Sequence, residues 1–480
     1  MIEGRDYDQT YSPTASWPSI RLLLSLSLIH GWETRSLDYV QAYPQAPVER
    51  PMYMQIPQGF QVGEASDSSS YLLEIHKNIY GQKQAGRVWN QYLVEKLLTI
   101  GFKQSEHDDC IFYKGNAMYV LYTDDSILAG PDPKELDQIM DEIKTTGLKI
   151  TSEEGIDDFL GVHIGKKDDG SFELTQPHLI TSILEDLGLN KENVAIKSTP
   201  AATSKLLSRH PSSPVFDEHF HYRRVIGKMN YLEKCTRPDI AYAVHQCARF
   251  STDPRFEHGQ AVKWLGRYLY GTRDKGMILK PSGDLLEVYV DSDFAGNWDP
   301  EIADTDSSTA RSRSAFVLNY CGCPIAWASK LQTEIALSST ESEYCSLSSA
   351  LRVVIPIMNI LQEMKLLGFD IKSTTPRIHC RVFEDNAGAL EMAKVHKQRP
   401  RTKHMNVKLH HFRSYVNSGA ISIHKVPTLD NQSDCLTKSL PLPLFRKHRK
   451  AILGWDVGGE RECKNNEDDV DGDVKHTHPT

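Results

Sequence analysis

The chain has 480 residues, 40% hydrophobic and 25% charged, a composition typical of globular proteins with buried cores. Its 30 Gly and 24 Pro exclude collagen-like and low-complexity architectures, and its length allows about three domains. The longest clean apolar run, residues 22–29, is far shorter than the roughly 18 residues that a membrane span needs. The first residues, MIEGRDYDQTYSP, contain no apolar stretch, so we expect neither a secretory signal nor a membrane partner.

The nine cysteines are scattered without framework spacing, which predicts reduced thiols in an intracellular protein. The net charge of −8 is unevenly distributed, because residues 455–480 hold eight acids and three bases. Residues 394–413, in contrast, hold seven Lys or Arg and no acid. This basic stripe indicates either a contact with a polyanion or a solvated helix face.

Residues 15–190 mix helix and strand patterns. Pro18 precedes an apolar stretch that ends at Gly31, which predicts a helix with proline in its first turn and a glycine C-cap. Residues 87–101 show helical spacing, and residues 117–130 (AMYVLYTDDSILAG) predict a hairpin with a TDD turn. Residues 190–213 are rich in Ser, Thr and Pro and predict a linker.

Residues 216–272 show mostly helical patterns, and a further unit begins near Asp284. Its strands come first and then alternate with helices, which predicts a mixed sheet covered by helices. The residues after Gly454 form an acidic stretch (NNEDDVDGD) for which we expect disorder. We therefore predict an α+β or α/β chain of several units.

Two groups of carboxylates are candidates for metal binding. Asp124 and Asp125 occupy the turn of the predicted hairpin, where two adjacent acids repel each other unless a cation neutralises them; an ordinary Asp-rich turn is the alternative. Asp38 follows a strand-like segment and could join them around two divalent ions, as in phosphoryl transfer.

The later unit supplies separate acids from separate predicted elements. Asp291 falls on a strand, Glu343 on a helix, Asp385 at a strand end and Asp434 at a helix start. Such a cluster would be strongly repulsive without metal. Spacing alone does not establish that the four acids meet.

At this point the motifs resemble a known family. Four segments resemble, in order, the reverse transcriptase of copia-type LTR retrotransposons: LDYVQAYPQAPVERPMYMQIPQGF, IYGQKQAGRVWN, YVLYTDDSILAG and DDFLGVHI. TRPDIAYAVHQCARFSTDP and RYLYGT resemble the thumb and connection that follow it. Five later segments resemble the ribonuclease H domain that ends the same polyprotein: VYVDSDFAG, SSTESEY, EDNAGAL, RTKHMNVKLHHFR and SDCLTK.

The resemblance implies a domain order and a fold. It implies a partial fingers and palm (1–190), a linker with a helical thumb or connection (191–283), a ribonuclease H-like mixed sheet with flanking helices (284–454) and a disordered acidic tail (455–480). It also implies RNA template, DNA primer, RNA–DNA hybrid and dNTPs as partners, with two Mg²⁺ or Mn²⁺ per active site. The expected location is cytoplasmic, in virus-like particles, and also nuclear.

The resemblance assigns roles by position. Asp38, Asp124 and Asp125 become the polymerase metal ligands, and Asp291, Glu343, Asp385 and Asp434 the nuclease metal ligands. Tyr43 falls where an aromatic ring lies beneath the incoming sugar, a core aromatic being the alternative, and Gly81, Lys83 and Arg87 would lie near the template and nucleotide. Arg401, Lys403 and His404, in the basic stripe, would touch the hybrid. Glu341 competes with Glu343, since two acids two residues apart cannot share one helix face.

Three departures from the family pattern affect these expectations. Thr123 stands for the usual Val before the paired acids, and Gly86 for a usual proline. The segment that grips the triphosphate would lie upstream of Met1, so we expect poor primer extension. The open alternatives are a catalytically inactive remnant that only binds nucleic acid and a chain in which only the nuclease works.

Overall fold

A computed structural model describes residues 1, 3–4, 7–60, 71–203, 207–210, 212–217, 219–373, 377–394 and 411–456. In these residues the α-helices are α1 (Trp17–His30), α2 (Ala42–Gln45), α3 (Ala85–Thr99), α4 (Pro133–Thr145), α5 (Pro177–Asp186), α6 (Tyr222–Cys235), α7 (Ala241–Ala248), α8 (Phe256–Gly271), α9 (Ser339–Leu366), α10 (Ala387–Lys394), α11 (Arg413–Asn417), α12 (Asp434–Thr437) and α13 (Leu442–Leu453).

The strands form several sheets. They are β1 (Glu33–Tyr39), β2 (Pro47–Gln55), β3 (Leu72–Lys77), β4 (Lys103–Gln104), β5 (Ile111–Lys114), β6 (Ala117–Tyr122), β7 (Asp125–Gly130), β8 (Ile150–Glu154), β9 (Asp158–Phe159), β10 (Val162–Lys166), β11 (Phe172–Thr175), β12 (Met277–Leu279), β13 (Leu286–Asp293), β14 (Arg313–Tyr320), β15 (Cys323–Leu331), β16 (Cys380–Glu384) and β17 (Ile421–Lys425). The prediction of a mixed α/β chain is confirmed.

The first large sheet has six strands in the order β4-β5-β6-β7-β1-β8, all antiparallel. Alternate side chains of its central strands β6 and β7 pack into two different hydrophobic cores, one on each face of the sheet. The sequences of these strands are therefore apolar almost without interruption. Tyr119 and Leu128 pack with α3 and α4, whereas Val120 and Ile127 pack with α1. As predicted, α1 has Pro18 in its first turn and ends at Gly31, whose φ of 62° suits a glycine.

The second large sheet has five strands in the order β15-β14-β13-β16-β17. The β15, β14 and β13 strands pair antiparallel, whereas β13, β16 and β17 pair parallel, so the sheet is mixed. The long helix α9 packs across β13 and β14. By length and hydropathy alone α9 would be long enough to cross a membrane, but 61% of its apolar window is buried inside the protein. It is a core helix of this sheet.

Strands and helices from both sides of the boundary predicted near residue 190 pack together. β12 pairs with β11, so residues 277–279 complete a four-stranded sheet with the order β12-β11-β10-β9. Helix α5 then packs against α6 and α8. The region from residue 158 onward is thus built together with the helices that follow it, because strands β9 to β11 need β12 and those helices to cover them.

Buried polar side chains join the first part of the chain to the last. Arg21 of α1 is 2% exposed, donates to Ile325 O (2.8 Å) and Cys235 O (3.2 Å), and lies 3.8 Å from the centroid of the Trp327 ring. Trp455, the first residue of the predicted disordered tail, is buried and donates from Nε1 to Gly276 O (2.6 Å). The indole thus packs against the core at the start of the predicted tail. Residues 457–480 lie outside the described residues.

Candidate active sites

The first candidate site lies at one end of the six-stranded sheet. β6 and β7 are joined by the two residues Thr123 and Asp124, so Asp125 begins β7. Asp38 of the neighbouring strand β1 is paired directly with Asp125, and Tyr39 N donates to Asp124 O (3.1 Å). Strand register and one turn thus place the three acids at the same end of the sheet, and the convergence of their carboxylates around metal stays a prediction.

The turn between the acids is locally strained. Thr123 has a φ of 57°, a left-handed conformation that β-branched residues rarely adopt. Trp89 of α3 holds the turn in place, because its Nε1 donates to Thr123 O (2.8 Å). Such strain persists only where the surrounding structure fixes the backbone.

The electrostatics of this site are moderate because it is open to solvent. Asp38 is exposed, whereas Asp124 and Asp125 are half-buried. Burial raises the pKa of Asp125, and the negative charges of Asp124 and Asp38 raise it further. A divalent cation between the three carboxylates would offset this repulsion.

The residues predicted to contact the nucleotide differ in how close they lie to the acids and in how exposed they are. Tyr43 of α2 lies beside the acids, since burial and then the charge of Asp124 raise its pKa, and its ring lies 4.8 Å from that of Tyr80. Gly81 adopts a φ of 95°, and Lys83 is exposed.

Arg87, in contrast, is held by protein groups. It forms an ion pair with Glu49, donates to Gln91 Oε1 (2.8 Å) and donates to Gln9 O (3.0 Å). A guanidinium with these partners anchors α3 to the preceding chain. The contact of Arg87 with the nucleotide therefore stays a prediction that would require these protein contacts to change.

The second candidate site lies on the five-stranded sheet. β13 and β16 are parallel neighbours in the register Tyr289↔Phe383, so Asp291 and Asp385, two residues further along each strand, are level at the same end. Glu343 enters from the first turns of α9. One carboxylate oxygen from each of Asp291, Glu343 and Asp385 lies within 4.8 Å of the others.

Small hydroxyl residues let α9 approach the sheet closely. Ser346 Oγ donates to Asp291 O (2.7 Å) and to Ala315 O (3.3 Å), and Ser342 is hydrogen-bonded to Ser292. Glu341 points elsewhere: it accepts from Leu337 N (2.9 Å) and thus caps the start of its own helix. Of the two competing glutamates, the geometry brings Glu343 to the other acids.

Asp434, at the first position of α12, completes the predicted set. Burial, and then the charge of Asp291, raises its pKa, while Lys438 Nζ lies 3.0 Å from Asp434 Oδ1 and opposes the shift. Thr437 donates to Asp291 from the same short helix. The four acids therefore come from four separate segments, and Lys438 pairs with one of them.

The acids of this cluster strongly oppose each other's ionisation. Burial raises the pKa of Asp291 and of Glu343, and neighbouring carboxylates raise both further. Glu343 Oε2 has no hydrogen-bond partner among the described residues. Buried, unpaired carboxylate oxygens suit hard divalent cations such as Mg²⁺, so these residues fit a metal site.

Comparison with known proteins now identifies the family. Residues 1–202 match the family model described as reverse transcriptase (RNA-dependent DNA polymerase). The chain is 32% identical over 454 residues to the "Retrovirus-related Pol polyprotein from transposon RE1" of Arabidopsis thaliana, covering 94% of this chain and 29% of that protein. The chain belongs to the copia-type retrotransposon Pol polyproteins.

Other relatives agree with this assignment. The "Retrovirus-related Pol polyprotein from transposon TNT 1-94" of Nicotiana tabacum is 30% identical over 462 residues, covering 94% of this chain and 33% of that protein. This Pol region thus spans about a third of the length of these relatives. A foamy viral protease–reverse transcriptase solved with double-stranded DNA is 13% identical, with a TM-score of 0.20 over 83% of this chain and 60% of that one, too low for any argument about fold.

One acid of the Pol region's second site was missed by the sequence analysis. Glu384, the last residue of β16, is fully buried, and its Oε2 has no hydrogen-bond partner among the described residues. Its charge opposes the ionisation of Glu343. The signal that could have revealed it is strand alternation: Val382 and Glu384 share one buried face, and Asp385 lies beyond the strand end. The predicted hybrid-contacting residues Arg401, Lys403 and His404 lie outside the described residues.

Proposed function

We propose that this Pol region combines two metal-dependent phosphoryl-transfer sites, an RNA-directed DNA polymerase and a ribonuclease H. In this proposal residues 1–190 are a partial fingers and palm, residues 191–283 a linker and thumb, and residues 284–454 a ribonuclease H-like domain. The observation that carries the nuclease assignment is the convergence of Asp291, Glu343 and Asp385 from three elements of a mixed sheet.

The polymerase assignment is supported by the family match and by the pairing of Asp38 with Asp125 beside Asp124. In the proposed reaction a primer 3′-hydroxyl attacks the α-phosphate of a dNTP and pyrophosphate leaves. Bound divalent ions would supply charge neutralisation at the attacking and leaving oxygens. The three carboxylates would hold these ions, and the ring of Tyr43 would lie beneath the sugar of the dNTP and disfavour a 2′-hydroxyl.

In the nuclease reaction, water attacks a phosphodiester of the RNA strand within an RNA–DNA hybrid, one P–O bond of the RNA backbone breaks, and the cut ends carry a phosphate and a hydroxyl. Asp291, Glu343, Asp385 and Asp434 would hold the metal ions, and Lys438 would offset part of their negative charge. Glu384 would add negative charge from behind Glu343 and so favour cation binding. Substrate binding would rest largely on backbone contacts that are insensitive to sequence.

The test is a primer-extension assay and a hybrid-cleavage assay on the same purified chain with Mg²⁺ or Mn²⁺. We expect metal-dependent cleavage of the RNA strand, abolished by EDTA. Cleavage without extension would restrict the function to the nuclease. Absence of both activities, with hybrid binding retained, would contradict the proposal and favour a nucleic-acid-binding remnant.

A further inference from the structure

A cavity of about 220 Å³ lies on the helical region, apart from both acid clusters. It is walled by α7, by α8 and by the segment that precedes them, and its lining includes Lys197, Tyr242, Gln246, Lys263, Trp264 and Arg267. One buried water requires roughly 10–15 Å³, so a cavity of this volume holds on the order of fifteen waters. It therefore has room for a ligand the size of a mononucleotide but not for a double helix.

The cavity lining carries more positive than negative charge. Lys197, Lys263 and Arg267 are all half-buried, and the carboxylate of Asp217 acts on Lys263 alone among them. Among the described lining residues the one acid is Glu257, which accepts from Ser213 Oγ (2.9 Å). Three cations around one concavity would repel each other unless an anion lies between them.

Their placement on the helix reinforces this repulsion. Lys263 and Arg267 stand four residues apart on α8, so they lie on one helix face, where like charges are unfavourable. Burial lowers the pKa of Lys263, the negative charge of Asp217 opposes that shift, and the smaller effect of Arg267 lowers the pKa further. An anion in the cavity would relieve this repulsion.

An aromatic wall completes the cavity. Trp264 is fixed in orientation because its Nε1 donates to Thr199 O (2.8 Å). Lys197 Nζ lies 3.9 Å from the centroid of the indole ring, a cation–π contact that holds the ammonium over the cavity wall. The cavity thus pairs a rigid apolar surface with three donors suited to phosphate oxygens.

We propose that this cavity binds a small phosphate-bearing anion, held by Lys197, Lys263 and Arg267 against Trp264. Two sources share this chemistry, inorganic pyrophosphate and a mononucleotide. The concave shape and limited volume favour either of them over the backbone of a duplex. The proposal does not depend on the function of the acid clusters.

The experiment is calorimetric titration of the full chain with pyrophosphate, adenosine 5′-monophosphate and adenosine. EDTA is present throughout, so that the acid clusters hold no metal and repel these anions. We expect saturable binding of at least one of the two anions and none of adenosine. Tighter binding of the monophosphate would identify a nucleotide as the ligand, and equal or tighter binding of pyrophosphate would identify the phosphate group alone.

Variants locate the site. The double variant Lys263→Gln/Arg267→Gln should weaken binding at least tenfold, whereas Arg273→Gln, a control cation outside the cavity that lies over Tyr270, should leave it unchanged. The ligand should also change the tryptophan fluorescence of the parent but much less that of Trp264→Phe. Thermal unfolding verifies that each variant is folded, and Lys197→Gln provides a single-site replacement if the double variant is not.

Three results would overturn the proposal. The first is the absence of saturable binding of either anion, and the second is equal binding by the parent and the cavity variants. The third combines two observations: the parent chain binds neither small anion, and the double variant loses the RNA–DNA hybrid binding that the parent has. That result would assign these cations to a nucleic acid track.

Discussion

The two acid clusters of this Pol region are made of the same residue types but differ in burial. In the first, Asp38 is exposed, and Asp124 and Asp125 are half-buried. In the second, Asp291 is 3% exposed and Glu343 is 6% exposed. Because solvent screens charge much better than protein does, the same repulsion has a small effect in the first cluster and a large one in the second.

The clusters also differ in what positions the acids. In the first, strand register and one strained turn place the carboxylates, so the backbone would hold them there without metal. In the second, Glu343 arrives through the packing of α9 on the sheet, so its position depends on side chains that repel one another. The buried cluster should therefore depend on metal and protons for stability, and the exposed one should not.

The largest expected effect comes from a change in the buried cluster. Asp385→Asn should reduce hybrid cleavage by roughly 10²–10⁴-fold, the range seen when a positioned catalytic group is lost. The fold should survive, because the change removes a charge from a repulsive group and leaves an oxygen that can accept from Thr428 Oγ1, now at 2.8 Å. Cleavage is measured on a labelled RNA–DNA hybrid, with thermal unfolding as the test of folding.

The matched control for this prediction is a pair of glutamates on α9. Glu343→Gln should abolish cleavage, whereas Glu341→Gln, at a residue that accepts from Leu337 N, should retain most of it. If Glu341→Gln were inactive and Glu343→Gln active, our assignment of the nuclease glutamate would be wrong.

Metal binding should separate the clusters by their effect on stability. A ligand present at about 100 times its Kd stabilises the folded state by about 2.7 kcal/mol. We expect Mg²⁺ or Mn²⁺ to raise the unfolding temperature of the parent by several degrees. Asp291→Asn should lose most of that rise, and Asp38→Asn should keep most of it. An equal loss in both variants would show that burial does not decide the dependence on metal.

Much of this organisation could be predicted from sequence because it rests on local patterns. The hairpin with Asp124 and Asp125 follows from two apolar runs around a polar turn, and α1 follows from its proline and glycine signals. The sequence pattern placed the acids of the second cluster on separate elements, but only the family resemblance assigned them to one metal site. Glu384 was overlooked because the motif drew attention to Asp385, and only the observed strand end shows which of the two acids faces inward.

Long-range packing was the part that sequence could not supply. Nothing near Arg21 indicates that its guanidinium is buried among carbonyls 213 and more residues away. The pairing of β12 with β11 joins segments about a hundred residues apart, on the two sides of the boundary predicted near residue 190. Trp455 was assigned to the acidic tail because the charge of its neighbours outweighed a single aromatic residue.

A smaller effect is expected from pH in the absence of metal. The acids of the buried cluster have raised pKa values in the folded state, so the unfolded chain binds fewer protons near neutral pH. Their contribution to stability is therefore complete below the ordinary carboxylate pKa and is lost as the pH rises through the folded-state pKa of each group. For Asp434 that pKa is about 7. In EDTA we expect the free energy of unfolding to fall by about 1–3 kcal/mol between pH 5 and pH 8.

The variant that tests this origin is Glu384→Gln, which removes one buried acid that lies outside the proposed ligand set. It should flatten the dependence of stability on pH, whereas Asp38→Asn in the exposed cluster should leave the slope close to that of the parent. A slope unaffected by Glu384→Gln would place the source of the pH dependence elsewhere in the chain.

The smallest expected effect concerns the backbone that supports the exposed cluster, through two glycines on either side of Lys83. Gly86 lies in the first turn of α3, and a Cβ there would lie 3.4 Å from Tyr43 Oη, an ordinary contact, so Gly86→Ala should stabilise the fold by about 0.5–1 kcal/mol. Gly81 has open space around it but a φ of 95°, so Gly81→Ala should destabilise the fold by about 1 kcal/mol through backbone strain alone. Thermal unfolding in EDTA measures both changes, and neither should alter the response to metal, because neither residue belongs to an acid cluster. A destabilised Gly86→Ala would mean that Tyr43 cannot accept the extra methyl group and that its side chain is more tightly fixed than the contact distance indicates.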